Sequence, residues 1–235
     1  MLFNRLIVKS SLSRAYYTNE WQLGILDINR KDTGLKSRTD LEYVADAKFK
    51  IHTGFEIESR EARYLGTIPA EEYDLRENAS GELIDSEFAV TRIGGYLELE
   101  RSALFAVDNL FVISGVRIDA LSELGIHWID PRVNTGYKLG EKSTVTVGWG
   151  MYHQHPDPRL FSETDGNPEL SAMRADHYIL SYAYQFDDED NFRIEAYYKD
   201  YSDLPLANEK LNYDNSGFGY ARGIDILYKG RLHST

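Results

Sequence analysis

Strict two-residue periodicity constrains this chain more than any other feature. Between Trp128 and His155 two alternating runs meet at a short polar break. In the first, Val133, Thr135, Tyr137 and Leu139 share one face, and Arg132, Asn134, Gly136 and Lys138 share the other. After Gly140, Glu141, Lys142 and Ser143, a second run sets Val145, Val147, Trp149 and Met151 against Thr144, Thr146, Gly148, Gly150 and Tyr152. Successive side chains of an extended backbone point to opposite faces, so this pattern predicts two half-buried strands joined as a hairpin.

The same pattern recurs along the chain. Phe49, Ile51, Thr53, Phe55 and Ile57 oppose Lys50, His52, Gly54, Glu56 and Glu58. Tyr178, Leu180, Tyr182, Tyr184 and Phe186 oppose Ile179, Ser181, Ala183 and Gln185. The expectation is an all-β, antiparallel chain of about ten or eleven strands of about 8–15 residues, longer than the usual 5–6 or so. Short breaks are expected at 45–48, 140–143 and 187–191, and a charged loop at 30–34. Long loops are expected at 61–85, 156–170 and 204–217, at the opposite ends of the strands. Short turns at one end, long loops at the other, and strands long enough to cross a bilayer at a tilt (about 9–11 residues) predict transmembrane β-barrel strands. The apolar parity would face lipid and the charged parity a polar lumen. A soluble β-sandwich or propeller shares the alternation and stays open as an alternative, although its strands are usually shorter. No second domain or linker is visible.

Composition narrows the functional classes. A net charge of −12 argues against a nucleic-acid surface. The absence of cysteine excludes disulfides, thiolate metal sites and cysteine nucleophiles. The longest apolar run is the five residues 103–107, so no transmembrane helix is expected; a β-barrel is untouched by that test. The N-terminal MLFNRLIVKSSLSR does not read as a signal peptide, so an export signal is expected outside this chain.

Candidate sites are few. His153 and His155, in HQHPD with Asp157, stand two apart on a strand end and share a face, but no third ligand is fixed by spacing. They read as a strand end meeting a ligand-facing loop, and neither a metal site nor a cofactor is expected. Glu56 with Glu58, and Glu98 with Glu100, read as lumen lining; no nucleophile or cleft signature accompanies them, so no enzyme is expected. Gly148 and Gly150 lie inside a strand, where small inward residues leave room for whatever fills the barrel. Tyr182, Tyr184, Tyr197, Tyr198 and Tyr201 fit an interfacial aromatic girdle, or, with Trp128 and Tyr152, stacking on a ligand. Asn78-Ala79-Ser80 has the form of a glycosylation acceptor and is incidental here.

Six motifs follow in order over about 110 residues. They are GVRID at 115–119, WIDPRVNTGYKL at 128–139, TVTVGWGMYHQHP at 144–156, NPEL at 167–170, EAYYKDYSDLP at 195–205 and NSGFGYARGID at 215–225. Their order resembles the β-barrel of TonB-dependent outer-membrane receptors. The first hundred or so residues resemble it only by alternation and by the strand around Gly54, Phe55 and Glu56. The resemblance implies a larger barrel of about 22 strands with a plug in its lumen, in the outer membrane of a Gram-negative cell. It also implies uptake driven by the inner-membrane TonB complex.

This chain has about half that number of strands and shows no plug region, energy-coupling box or closing aromatic strand. Residues 1–235 are therefore read as one segment of such a receptor, or as a truncated product, with two unpaired edges that should make it unstable alone. The expected function is uptake of a scarce nutrient such as a ferric siderophore, corrinoid or oligosaccharide, bound at extracellular loops. A passive porin-type barrel and a soluble β-sandwich binding module are the alternatives. Lumen- or ligand-facing candidates are Arg117, Asp119, Arg132, Tyr152, His153, His155 and Glu195. The plug, the TonB complex and outer-membrane lipid are the expected partners.

Overall fold

The structure is a computed structural model, and it describes residues 5–71, 74–161, 166–187 and 190–230. The remainder, which takes in parts of the loops expected at 61–85, 156–170 and 187–191 and both chain ends, lies outside them. Among the described residues ten strands follow one another: β1 (Leu6–Leu23), β2 (Leu26–Asp46), β3 (Phe49–Pro69), β4 (Gly81–Ser102), β5 (Leu110–Leu121), β6 (Ile126–Lys138), β7 (Ser143–Gln154), β8 (Met173–Gln185), β9 (Asn191–Asn208) and β10 (Asn212–Lys229). Each pairs antiparallel with its sequence neighbour, in the order β1 to β10 within a single sheet.

The sheet is open. β1 pairs only with β2 and β10 only with β9, which corrects the expected barrel. Closure would need hydrogen bonds between the first and last strands, and none form among the described residues, which leaves both edges with unpaired backbone groups.

Several expected boundaries also move. The charged stretch 30–34 lies in the middle of β2, and most of 61–85 is strand, since β3 runs to Pro69 and β4 starts at Gly81. Likewise β9 and β10 extend through most of 204–217. A tight hairpin splits the expected strand at 15–29: Gly24 takes φ +58°, and an added Cβ would stand 1.5 Å from the Leu75 carbonyl oxygen. Only a glycine gives that turn both its conformation and its room against the loop at 70–80.

Alternation assigns the two faces. Phe55, Ile57, Leu97, Ile118, Ile129, Val147, Leu180, Ile224 and Ile226 all lie on one face and are exposed, from 39% at Ile57 to 67% at Ile224 and Ile226. The buried polar residues are Asp32, Glu56, Asp119 and Asp130. This reverses the arrangement of a water-soluble protein, in which a sheet hides its apolar face against a second layer. Among the described residues there is no second layer. An apolar face left open and a charged face turned inward suit a sheet with lipid on one side.

The outer face carries two aromatic rows. Tyr178, Tyr198 and Tyr220 stack across β8, β9 and β10 towards the long-loop end, with ring centroids 6.3 and 6.1 Å apart. Tyr184, Phe186 and Tyr228 gather near the opposite end. These rows resolve part of the tyrosine ambiguity: Tyr184 and Tyr198 belong to girdles, whereas Tyr197 has the inward parity and lies over Gly223.

A small core forms where the described residues of the loop, 155–161 and 166–172, meet the inner face. Val90, Leu121, Trp128 and Ala172 cluster there, flanked by Leu124 and Ile126. Pro156, Phe161 and Leu170 are buried with them. The loop is tied to the start of β10: Asn167 Nδ2 donates to the Tyr213 carbonyl (2.7 Å) and the Ser171 amide to Asn215 Oδ1 (2.8 Å).

In the turn between β5 and β6 the Glu123 carboxylate accepts the Thr91 amide at 2.6 Å. Burial is the largest single influence and works to raise this carboxyl, but hydrogen bonds from the Thr91 amide, the Thr91 side chain and its own backbone together outweigh it and hold the group below its ordinary value. A depressed carboxyl adds stability that is present above the unfolded value and is lost as pH falls through the folded one. Acid titration of the folded protein should therefore show a step in stability below the usual carboxylate range, absent from Glu123→Gln. An identical acid profile in the variant would refute this.

Candidate functional site

The inward charges are assembled by register. Glu56 faces Gly94, Glu58 faces Arg92, Gly94 faces Asp119 and Tyr96 faces Arg117, so strands β3, β4 and β5 bring their charged parities to one level. Arg92 sits at the centre. It donates to Glu56, to Glu58 Oε2 (2.9 Å) and to Asp119 Oδ1 (3.0 Å). Arg117 also reaches Asp119 Oδ1 (2.7 Å) and, across β4, Glu56 Oε1 (3.4 Å). Lys36 and Arg38 of β2 close on Glu56 Oε2 at 2.9 and 3.5 Å. Arg38 pairs with Asp40, which accepts the Tyr96 hydroxyl from two strands away at 2.7 Å.

Contacts that skip a strand, about 9–10 Å in a flat sheet, mean that this face is concave. The cations Lys36, Arg38, Arg92 and Arg117 meet the anions Asp40, Glu56, Glu58 and Asp119, so the cluster is charge-balanced.

Glycines make the cluster possible. A Cβ on Gly94 would stand 2.3 Å from Asp119 Oδ1 and 2.7 Å from Arg117 Nη2, and one on Gly54 would stand 2.4 Å from the Tyr96 ring. Directly opposed pairs recur: Gly136 under Phe111, Gly148 under Asn134, Gly223 under Tyr197. In each, the long side chain lies flat over a neighbour that has none. The space above Gly148 and Gly150, which alternation alone left for the barrel's contents, is thus taken by Asn134 and Tyr152. Gly94→Ala should displace the Asp119–Arg117 pair and destabilise the folded protein by about 1–3 kcal/mol, the usual cost of overpacking. A denaturant midpoint equal to that of the parent would show that the pair moves freely.

The seven candidates divide. Arg117 and Asp119 saturate one another inside the balanced cluster, so neither is a free charge. Arg132 makes no ion pair among the described residues; its guanidinium stands 5.1 Å over the Tyr152 ring, which lies 4.5 Å from the His177 ring. It shares a cavity with Arg38, Tyr96, Glu98 and Arg117.

His153 and His155 line a second cavity with Trp128, Arg92, Arg60 and Glu58. Glu195 stands apart on β9, 3.9 Å from Arg193. Sequence reasoning passed over Arg92, Asp130 and His177. Arg92 was within reach, because the parity of Tyr96 and Glu98 extends to it. The position of His153 was not. Alternation from Gly150 puts it with Met151, yet its ring bonds Asp130, because β6 and β7 pair only as far as Arg132 and Gly150.

With this face described, comparison with known proteins is informative. The model of the family described as TonB dependent receptor-like, beta-barrel, matches residues 5–233. The chain belongs to that family. Family membership puts it among outer-membrane receptors of Gram-negative bacteria. Comparison with curated proteins finds no match.

Among solved structures, the chain is similar to the ferric-catecholate import receptor Fiu of E. coli K12 in its closed form. The TM-score is 0.68 at 12% identity, covering 98% of this chain and 43% of Fiu. FpvA of P. aeruginosa, solved with a heterologous pyoverdine and iron, gives 0.70 at 12% identity, covering 98% and 36%. The ferric yersiniabactin uptake receptor FyuA of Yersinia pestis gives 0.67 at 13%, covering 97% and 37%. At such identities the likeness is one of fold. The chain spans less than half the length of each.

Proposed function

We propose that residues 1–235 are one segment of an energy-coupled receptor that takes up a scarce nutrient across the outer membrane. The observation that carries this reading is the reversed sheet, with lipid-facing side chains outside and a glycine-cushioned charged face within. The family match supports it. In this reading the balanced cluster around Arg92 is a rigid wall against which a plug rests. Arg132, Tyr152 and His177 form the unsaturated part of the inner face and contact the passing ligand. His153, His155 and the loop at 155–172 meet it first, and Glu195 lines the opposite flank. The partners are the receptor's own plug and the inner-membrane TonB complex, and the cargo is of the ferric siderophore, corrinoid or oligosaccharide class.

The test is uptake by cells carrying the full-length gene, challenged with labelled members of each class, with and without the energy-coupling protein. Uptake of one ligand that stops when coupling is removed is the expected result. Uptake indifferent to coupling would replace this reading by a passive pore.

A further inference from the structure

Three bases of the inner face lie on one row of the ladder. Arg132 on β6 pairs in register with Gly150 on β7, Gly150 with His177 on β8, and His177 with Lys199 on β9. His177 and Lys199 are directly opposed, which sets their Cβ atoms about 5 Å apart, and Arg132 stands about 10 Å from His177 across Gly150. All three are half-buried. Among the described residues none of them enters an ion pair, because the neighbouring carboxylates are engaged elsewhere. Asp130 takes His153 (2.7 Å), Asp176, on the outer parity, takes Arg174 (2.7 Å), and Glu195 lies beside Arg193 (3.9 Å). Glu98 shares the row but stands two strands from Arg132, beyond Gly115. Like charges directly opposed weaken a strand pair when nothing neutralises them.

What steadies the two long cations is aromatic. The Arg132 guanidinium lies 5.1 Å from the centre of the Tyr152 ring, and Lys199 Nζ lies 5.2 Å from that of Tyr197. Both rings lie over glycines: a Cβ on Gly150 would stand 2.9 Å from Tyr152 Cε2, and one on Gly223 would stand 2.6 Å from the Tyr197 hydroxyl oxygen. The His177 ring packs against Tyr152, with centroids 4.5 Å apart. A ring face orients a cation without cancelling its charge, whereas the carboxylates around Arg92 cancel theirs. The chain carries a net charge of −12, so this row is not left basic for want of acidic residues. We infer that Arg132, His177 and Lys199 form a subsite for a small anion of several charges, whose carboxylate or phosphate oxygens meet successive bases. With the bases spaced by strand intervals of about 4.8 Å, a polyanion engages more of them than a monoanion does. For its biological meaning this subsite rests on the uptake reading, within which it selects an anionic cargo over a neutral saccharide; the binding itself is measurable without transport.

The full-length protein, purified in a non-ionic detergent, is titrated calorimetrically with tricarballylate, inorganic pyrophosphate, acetate and maltotriose. The expected result is one saturable site for a polyanion, with acetate weaker by about tenfold or more. Tighter binding of tricarballylate assigns the site to carboxylates, and tighter binding of pyrophosphate assigns it to phosphates. Arg132→Met and Lys199→Met should each weaken polyanion binding by about tenfold, the size of one charge-assisted hydrogen bond, and the double variant should abolish it. Arg193→Met, which removes a cation of the same face that already lies beside Glu195, should bind like the parent. No saturable binding of either polyanion by the parent, equal affinity for maltotriose, or binding unchanged in the double variant overturns the site. Heat-modifiable gel migration verifies that each variant is folded. A parent that binds no polyanion leaves the uptake reading standing with another cargo, and a parent that binds one but imports nothing sinks only that reading.

Discussion

Arg92→Met is expected to destabilise the folded protein by about 3–5 kcal/mol, the usual penalty for removing one partner of a buried ionic group. The loss is large because Arg92 is shared. It neutralises Glu56, Glu58 and Asp119 at once, and Glu56 and Asp119 are almost wholly withdrawn from solvent, their side chains 6% and 2% exposed. Arg117 and Lys36 remain, but Glu58 then keeps only the 3.6 Å contact with Lys36. Arg193→Met is the control. Its pair with Glu195 spans 3.9 Å and its side chain is 54% exposed, so it should cost less than about 1 kcal/mol. Denaturant titration of the protein in lipid vesicles measures both. Equal costs would mean that the cluster is solvated and that the wall is not rigid.

Leu180→Arg should cost about 2–4 kcal/mol, the penalty for an arginine near the bilayer midplane. Leu180 is 52% exposed and lies on the outer face of β8, between the row of Tyr178, Tyr198 and Tyr220 and the row of Tyr184, Phe186 and Tyr228. In water an arginine at a half-exposed leucine would cost little, so the size of the effect reports what that face touches. Leu83→Arg is the counterpart. Leu83 is 88% exposed at the loop end of β4, beyond the length of strand a bilayer requires, and should cost no more than about 1 kcal/mol. The same titration in vesicles separates the two. A Leu180 variant as stable as the Leu83 variant would remove the lipid from this face.

The errors of sequence reading fall where the physical constraint lapses. Within the bilayer one face meets lipid and the other does not, so alternation is enforced and β5, β6, β7 and β8 were legible within a few residues. β2, β3 and β4 run to 21, 21 and 22 residues, about twice the span needed to cross at a tilt. Where they project beyond the membrane both faces are wet, and charges occur on either parity. Arg30, Lys31 and Asp32 therefore resembled a loop while being strand. The hairpin at Gly24 was masked for a different reason: its turn is two residues long and only the glycine marks it.

The candidate site was legible in kind but not in detail. Parity put Arg117, Asp119, Arg132 and Tyr152 on the inner face. It did not separate Arg117 and Asp119, which neutralise each other, from Arg132, which has no carboxylate partner among the described residues. It also misplaced His153, whose ring follows the parting of β6 from β7.

Alone, the sequence determined the strand class, the polarity of the two faces and the family, because each of these is written in local alternation and in motif order along one stretch of backbone. The tertiary structure alone decided that the sheet stays open, that Arg92 gathers three carboxylates from the two strands that flank it, and that the His153 ring is anchored on Asp130. Those are relations between residues far apart in the chain. They are set by strand register and by where the ladder ends, and no local pattern encodes either.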